Sequence, residues 1–250
     1  MIKKNIKLVS GLVLLVILIA VGMAQGAATL KVCECRACGC QYLSIQEAID
    51  KASPGDVVLV RSGNFHGNIN VTKPISLIGE RWHGGDLPLI NADGNGSAIT
   101  VNADKATVEN IRVTNSGNDS SDAGIRVVSD NCTIRKNTAS QNGGAGIILE
   151  NARNCTVQDN VARGNAYGIN LFNSSDNDLY QNWIYNNTVI DAFDDDFNHW
   201  DSGVKGNYYG SFNCTDENND TICDSAYNIT GAASFDRYPM VGSALSLLLR

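Results

Sequence analysis

Residues 123–144 read AGIRVVSDNCTIRKNTASQNGG, residues 145–166 read AGIILENARNCTVQDNVARGNA, and residues 167–188 read YGINLFNSSDNDLYQNWIYNNT. Aligned, they place Gly124, Gly146 and Gly168 at a spacing of 22, each followed by an isoleucine (Ile125, Ile147, Ile169). Ile134, Val157 and Leu179 fall in register, as do Asn137, Asn160 and Asn182, and again Asn142, Asn165 and Asn187. One residue is inserted between Gly146 and Cys155. So many positions in register through three copies mark an internal repeat.

Apolar residues alternate over short stretches in each copy, as in Ile147/Leu149 and Ile169/Leu171. That alternation marks strands with one buried face, and no helical pattern separates them. Copies of about 22 residues with Asn/Gly corners fit successive turns of an all-β parallel β-helix, a solenoid whose turns rise by about 4.8 Å. Equivalent residues then stack in columns. Stacked asparagines would hydrogen-bond along the axis and satisfy corner backbone; stacked glycines would permit a corner conformation that other residues resist.

An earlier copy runs over Ala98–Asn115, with Ile99, Val101, Val108, Ile111 and Val113 in the apolar slots, and a weaker one begins near Asp191 and Phe193. Strands are expected near 57–60, 69–71, 75–79 and 88–91. Ser44-Ile45-Gln46-Glu47 reads as a capping box, and Ile45, Ala48, Ile49 and Ala52 form one apolar face. Residues 44–53 are therefore expected to be a short N-terminal capping helix, stopped by Pro54-Gly55-Asp56.

The chain divides into an export segment (1–26), a cysteine-rich segment (27–43), the β-helix with its cap (44–193), a C-terminal cap with an acidic loop (194–241) and a tail (242–250). The first segment carries Lys3, Lys4 and Lys7, an apolar run from Leu8 to Ala24, and the small residues Gly26, Ala27 and Ala28. That is the pattern of a secretory signal peptide, with cleavage after Ala24 or Gly26; an uncleaved anchor is the alternative. Its removal leaves 16 basic residues against 26 acidic ones, a net charge of about −10. This balance excludes a nucleic-acid partner, which needs a basic face. It suits an extracellular protein that binds cations or neutral sugars, with no membrane span in the mature chain.

Three stretches carry a family resemblance. The first is Ser44-Ile45-Gln46-Glu47-Ala48-Ile49-Asp50, continuing through Pro54-Gly55-Asp56-Val57-Val58 to Ile75-Ser76-Leu77-Ile78-Gly79. The second is Asp194-Asp195 with Asn198-His199-Trp200-Asp201 and Gly206-Asn207-Tyr208-Tyr209-Gly210. The third runs from Asp216-Glu217-Asn218-Asn219-Asp220 and Asp224 through Ala226-Tyr227-Asn228-Ile229 to Asp236-Arg237-Tyr238-Pro239. Together they resemble the NosD-like family over roughly residues 42–241. The resemblance implies a right-handed parallel β-helix of the carbohydrate-binding and sugar-hydrolase-like kind. It also implies a surface location, many members being from methane-producing archaea. The name-giving member serves copper-site maturation; here only His66, His83 and His199 and few methionines are present.

The chemistry-bearing motifs leave alternatives open. Asp216, Asn218, Asp220, Ile222 (through its carbonyl) and Asp224 alternate like a calcium loop. Thr221 replaces the usual glycine, however, and Tyr227 stands where an EF-hand needs glutamate, so a shorter structural calcium loop or a solvated acidic turn is expected. Cys214 and Cys223 bracket it and are expected to pair. Cys33, Cys35, Cys38 and Cys40 could form two disulfides or a thiolate site for zinc or copper; the resembled family has a plain strand there. Cys132 and Cys155 share one turn position, two residues before Ile134 and Val157, and are expected to point inward, as a disulfide or as small buried hydrophobes.

Asp194, Asp195, Asp196, His199 and Asp201, near Trp200, Tyr208 and Tyr209, could perform acid–base work on a glycan or form an end cap. Sequons at Asn70, Asn95, Asn118, Asn131, Asn154, Asn173, Asn186, Asn213, Asn219 and Asn228 are candidate glycosylation sites. The expectation is a secreted or cell-surface, non-catalytic β-helix that binds glycans or contributes to the envelope. The alternatives are a polysaccharide lyase, epimerase or hydrolase, and a copper- or zinc-handling factor.

Overall fold

The structure is a computed structural model that describes residues 26–231 and 234–242. The expected export segment lies outside these residues except for Gly26, and the expected tail except for Gly242. The chain forms a right-handed parallel β-helix of about seven turns, each of about 23 residues, with one short helix near its start.

Three walls of seven strands enclose the core. The first wall runs Thr29–Val32, Val57–Arg61, Ser76–Glu80, Thr107–Glu109, Thr133–Arg135, Thr156–Gln158 and Asp178–Tyr180. The second runs Ile69–Val71, Ile99–Val101, Ala123–Val127, Ala145–Glu150, Tyr167–Phe172, Ile190–Asp194 and Thr230–Gly231. The third runs Asn64–His66, Leu89–Asn91, Arg112–Thr114, Thr138–Ser140, Val161–Arg163, Trp183–Tyr185 and Tyr208–Tyr209. Ile134 pairs with Val157 and Val157 with Leu179, all fully buried on the first wall. The repeat register read from the sequence is thus the register of the sheet.

The corners are set by asparagine. Asn137 donates its N–H and its amide to Asn160 Oδ1 at 3.0 and 3.1 Å, and Asn160 does the same to Asn182 Oδ1 at 3.0 Å each. Asn182 passes the column on to Asn207. A second column joins Asn142, Asn165 and Asn187. Each amide thus covers backbone groups that the corner takes out of the sheets. Lys136, Asp159 and Gln181, one residue before the first column's asparagines, hold φ of 56°, 56° and 58°. That left-handed conformation is costly for such residues and is sustained by the column.

The stacked glycines have a different cause from the one expected. Gly124, Gly146 and Gly168 do not adopt positive φ. A Cβ on Gly146 would lie 2.8 Å from the Asn165 amide and 2.9 Å from the carbonyl oxygen of Gly168 on the next turn. Close approach between turns, not backbone freedom, selects glycine there.

At the N-terminal end, α1 (Ile45–Lys51) buries Ile45, Ala48 and Ile49 over the open core, and Ser44 Oγ accepts the Glu47 N–H at 3.3 Å. Lys73 donates to the carbonyls of Ile49, Asp50 and Ala52 at the helix C-terminus (3.2, 2.7 and 2.7 Å). The cysteine-rich segment holds an element that its composition hid. Thr29–Val32 pairs with Val57–Val60 and heads the first wall. At the other end, the antiparallel pair Tyr227–Asn228 and Phe235–Asp236 closes over the last turn.

Candidate functional site

The strand Ile190–Asp194 puts Asp194 in register with Leu171, so a carboxylate points inward at the last full turn of the second wall. It is fully buried. Its oxygens accept the Asn198 amide at 2.8 Å, the Asp196 N–H at 3.1 Å and the Trp200 indole N–H at 2.9 Å. Buried Trp200 and Tyr209 complete an aromatic plug with it. Asp195 lies exposed at the corner, where it accepts the Asn173 N–H at 2.7 Å. His199 faces outward, 3.2 Å from Asp178. The acidic group is thus dispersed: Asp194 seals the core, Asp195 and Asp196 are exposed at the corner, and Asp201 is buried beside Arg237.

What the fold does bring together is an open cleft of about 390 Å³, lined by Phe197, His199, Asp201, Ser234, Phe235 and Arg237 among others. Phe197 and Phe235 are 63% and 50% exposed. The His199 ring meets Phe197 edge-on at 5.5 Å. Asp201 accepts Arg237 Nε and Nη2 at 2.9 Å each, and the Gly203 and Arg237 N–H groups at 2.9 and 3.1 Å. Burial would raise the Asp201 carboxyl. The hydrogen bonds from Arg237 and Gly203 and the guanidinium charge outweigh it and hold the carboxyl below its ordinary range. The pair is a fixed, bidentate polar edge between two exposed aromatic faces.

The acidic stretch 194–201 contains no arginine or lysine of its own. Arg237 supplies one, brought from 36 positions downstream by the end cap. Next to it, burial pushes Asp236 up to about 7. Its oxygens face the core and accept the Asn207 N–H, the Tyr238 N–H and the Tyr209 hydroxyl at 2.6, 3.0 and 3.1 Å. A carboxyl so enclosed has no path to a ligand in the cleft. Far from this cleft, Trp82 packs under the Arg61 guanidinium, whose Cζ lies 3.3 Å from the ring centroid.

The acidic loop folds on itself. Asp216 accepts the N–H groups of Asp220 and Thr221 at 3.1 Å each, Asp220 accepts that of Ile222 at 2.8 Å, and Asp224 that of Glu217 at 3.0 Å. Asn218 donates to Asp220 at 3.0 Å. Cys214 and Cys223 are joined across the base of the loop. At the other end of the chain, Cys33 pairs with Cys40 and Cys35 with Cys38, one ring nested in the other, so these sulfurs are not free thiolates. Cys132 and Cys155 are free and buried. The Cys132 N–H points at Cys155 Sγ at 3.3 Å, where the next turn uses Asn177 Oδ1 to accept the Cys155 N–H at 2.8 Å. These two residues therefore fill the corner as small buried side chains. All ten sequon asparagines are exposed, and none of the asparagines buried in the columns belongs to a sequon.

Three disulfides suggest an extracytoplasmic environment. Among the described residues no helix is long and apolar enough to cross a membrane. No curated protein matches the chain. The sequence profile described as right handed beta helix region matches residues 56–226, well over half of the chain. With a matching profile and the walls, columns and corners that go with it, the chain belongs to the right-handed β-helix family.

Proposed function

We propose that the protein is an exported, cell-surface β-helix that binds neutral glycan in its C-terminal cleft without transforming it. The observation that carries this reading is the pair of exposed rings, Phe197 and Phe235, flanking the Asp201–Arg237 ion pair. Sugar rings present flat C–H faces to aromatic rings, and the exposed guanidinium of Arg237, fixed from behind by Asp201, can donate to their hydroxyls. The net negative charge favours a neutral rather than an anionic polysaccharide. A hydrolase would need a proton donor facing the ligand. Asp201 is held ionised by Arg237, Asp194 and Asp236 face the core, and the His199 ring in the cleft is turned to Asp178 at 3.2 Å. The residues that form the cleft belong to the C-terminal segment that resembles NosD-like proteins, which supports a surface role of that kind. The exposed sequons support a glycosylated surface protein.

The test is a glycan screen followed by calorimetry on the mature chain. Binding of a neutral glycan that weakens about tenfold or more in Phe197→Ala or Phe235→Ala, with no new reducing ends or unsaturated sugars, is the expected result. Release of such products would make the protein an enzyme, and binding untouched by both substitutions would remove the cleft from the account.

A further inference from the structure

The outer face of the second wall carries a second cleft, built from different residues. The ladder register skips Gly124, Gly146 and Gly168, and this break in alternation sets Ala123, Ala145, Tyr167 and Ile190 in one column and Arg126, Ile148, Asn170 and Phe193 in the next, both on the face opposite Ile125, Ile147 and Ile169. Glu150 and Phe172 follow in a third. Ser120, Tyr167, Asn170, Phe172, Ile190 and Phe193 line a depression of about 250 Å³. The rings of Phe172 and Phe193 lie 5.2 Å apart at 37° and form one side of it.

Asn170 is out of place in this setting. Asparagine is a poor strand residue, and the same column holds Ile148 one turn earlier, which is 1% exposed. Asn170 is 4% exposed, and its Oδ1 has no hydrogen-bond partner among the described residues. Every buried asparagine of the corner columns is bonded, so this one stands apart. A buried carbonyl oxygen without a donor weakens the fold, and an apolar β-branched residue in its place would not. An unmet acceptor in the wall of an aromatic cleft points to a donor supplied from outside.

We infer that this cleft is a binding site for an N-acetylhexosamine residue of a neutral glycan. Three features select that chemistry. The acceptor needs an N–H or O–H donor. The rings of Phe172 and Phe193 need a flat or methyl-bearing apolar partner. No charged side chain lines the cleft, because Arg126 and Glu150 beside it are engaged with each other. An acetamido group supplies the N–H for Asn170 and the methyl for the rings at once. The volume lies below the usual range of about 300–1,000 Å³ for drug-sized ligands and suits a single ring. This site stands independently of the C-terminal cleft, since the two share no residue.

The test titrates the mature chain with N,N′-diacetylchitobiose and, in parallel, with cellobiose. Wild type is measured beside Asn170→Val, Asn170→Ile, Phe172→Ala and the C-terminal pair Phe197→Ala/Phe235→Ala. The expected result in the C-terminal pair is saturable binding of the acetylated disaccharide only. This binding persists in that pair, and each Asn170 substitution or Phe172→Ala, made in that background, lowers it about tenfold or more. The Asn170 variants melt at a higher temperature than wild type, so their loss of binding is not a loss of fold. In the background of the C-terminal pair, equal binding of cellobiose, no saturable binding of the acetylated disaccharide, or unchanged binding on adding a folded Asn170 substitution would each overturn the assignment. A loss confined to the C-terminal pair would overturn it too, while supporting the cleft of the preceding section.

Discussion

Asp194 Oδ2 accepts the indole N–H of Trp200 at 2.9 Å, and both residues are sealed from solvent. The pair terminates the core in the slot that Leu171 fills one turn earlier. A carboxylate with the appearance of a catalytic acid is thereby a structural acceptor. Asp194→Ala removes the partners of Trp200 Nε1, the Asn198 amide and the Asp196 N–H together. It is expected to cost about 3 kcal/mol or more of stability, read as a lower denaturant midpoint, while the fold of the earlier turns is kept.

The asparagine columns make the cost of a substitution depend on position. Asn160 stands mid-column, accepting from Asn137 and donating to Asn182 and to the Ile134 carbonyl. Asn187 ends its column and is only part-buried. Asn160→Ala is expected to destabilise by about 3 kcal/mol and Asn187→Ala by about 1 kcal/mol. Urea unfolding of the two variants checks the difference; equal costs would count against the column as a cooperative device.

Asp236 gives the end cap a pH dependence of unusual sign. Its pKa is raised from 3.8 to about 7 by burial, so the folded state holds a proton that the unfolded state has released. The contribution to stability is therefore full below the unfolded value near 3.8 and is lost as pH rises through about 7. The expected observation is a Tm component that falls between those limits in wild type and is absent in Asp236→Asn. A carboxyl resonance of Asp236 that titrates near 3.8 in the folded protein would contradict it.

The cysteines should separate into two classes by thiol assay. Cys132 and Cys155 are each 1% exposed and free, while the other six are paired. The hydrogen bond from Cys155 lowers the Cys132 thiol to about 7, but thiol reagents cannot reach either sulfur in the folded state. The expected count is no reactive thiol in native protein and two in denaturant. More than two would indicate that at least one of the three disulfides is reduced, and fewer would indicate a bond between Cys132 and Cys155.

The architecture was legible because one turn has nearly constant length. Gly124, Gly146, Gly168 and the asparagine columns write that length directly into the sequence, and the capping helix at Ser44 is a local signal. What sequence reasoning missed is non-local or masked by composition. Thr29–Val32 is a strand hidden among cysteines and recognisable only by its pairing with Val57–Val60. The Asp201–Arg237 pair joins residues 36 positions apart through the end cap, where the repeat no longer helps. The cause of the stacked glycines lay in the neighbouring turn rather than in their own torsion angles. Asn170 was visible as an asparagine aligned with Ile148, but its unmet oxygen could be seen only with the surrounding side chains in place.

The repeated columns turn the molecule into a ruler. Each middle turn meets its neighbours through the same set of contacts, so tandem duplication or excision of a segment such as 145–166 leaves both ends able to close. Every added turn would move the capped start about 4.8 Å farther from the aromatic end. Evolution can therefore adjust the separation between the two ends without redesigning either terminus.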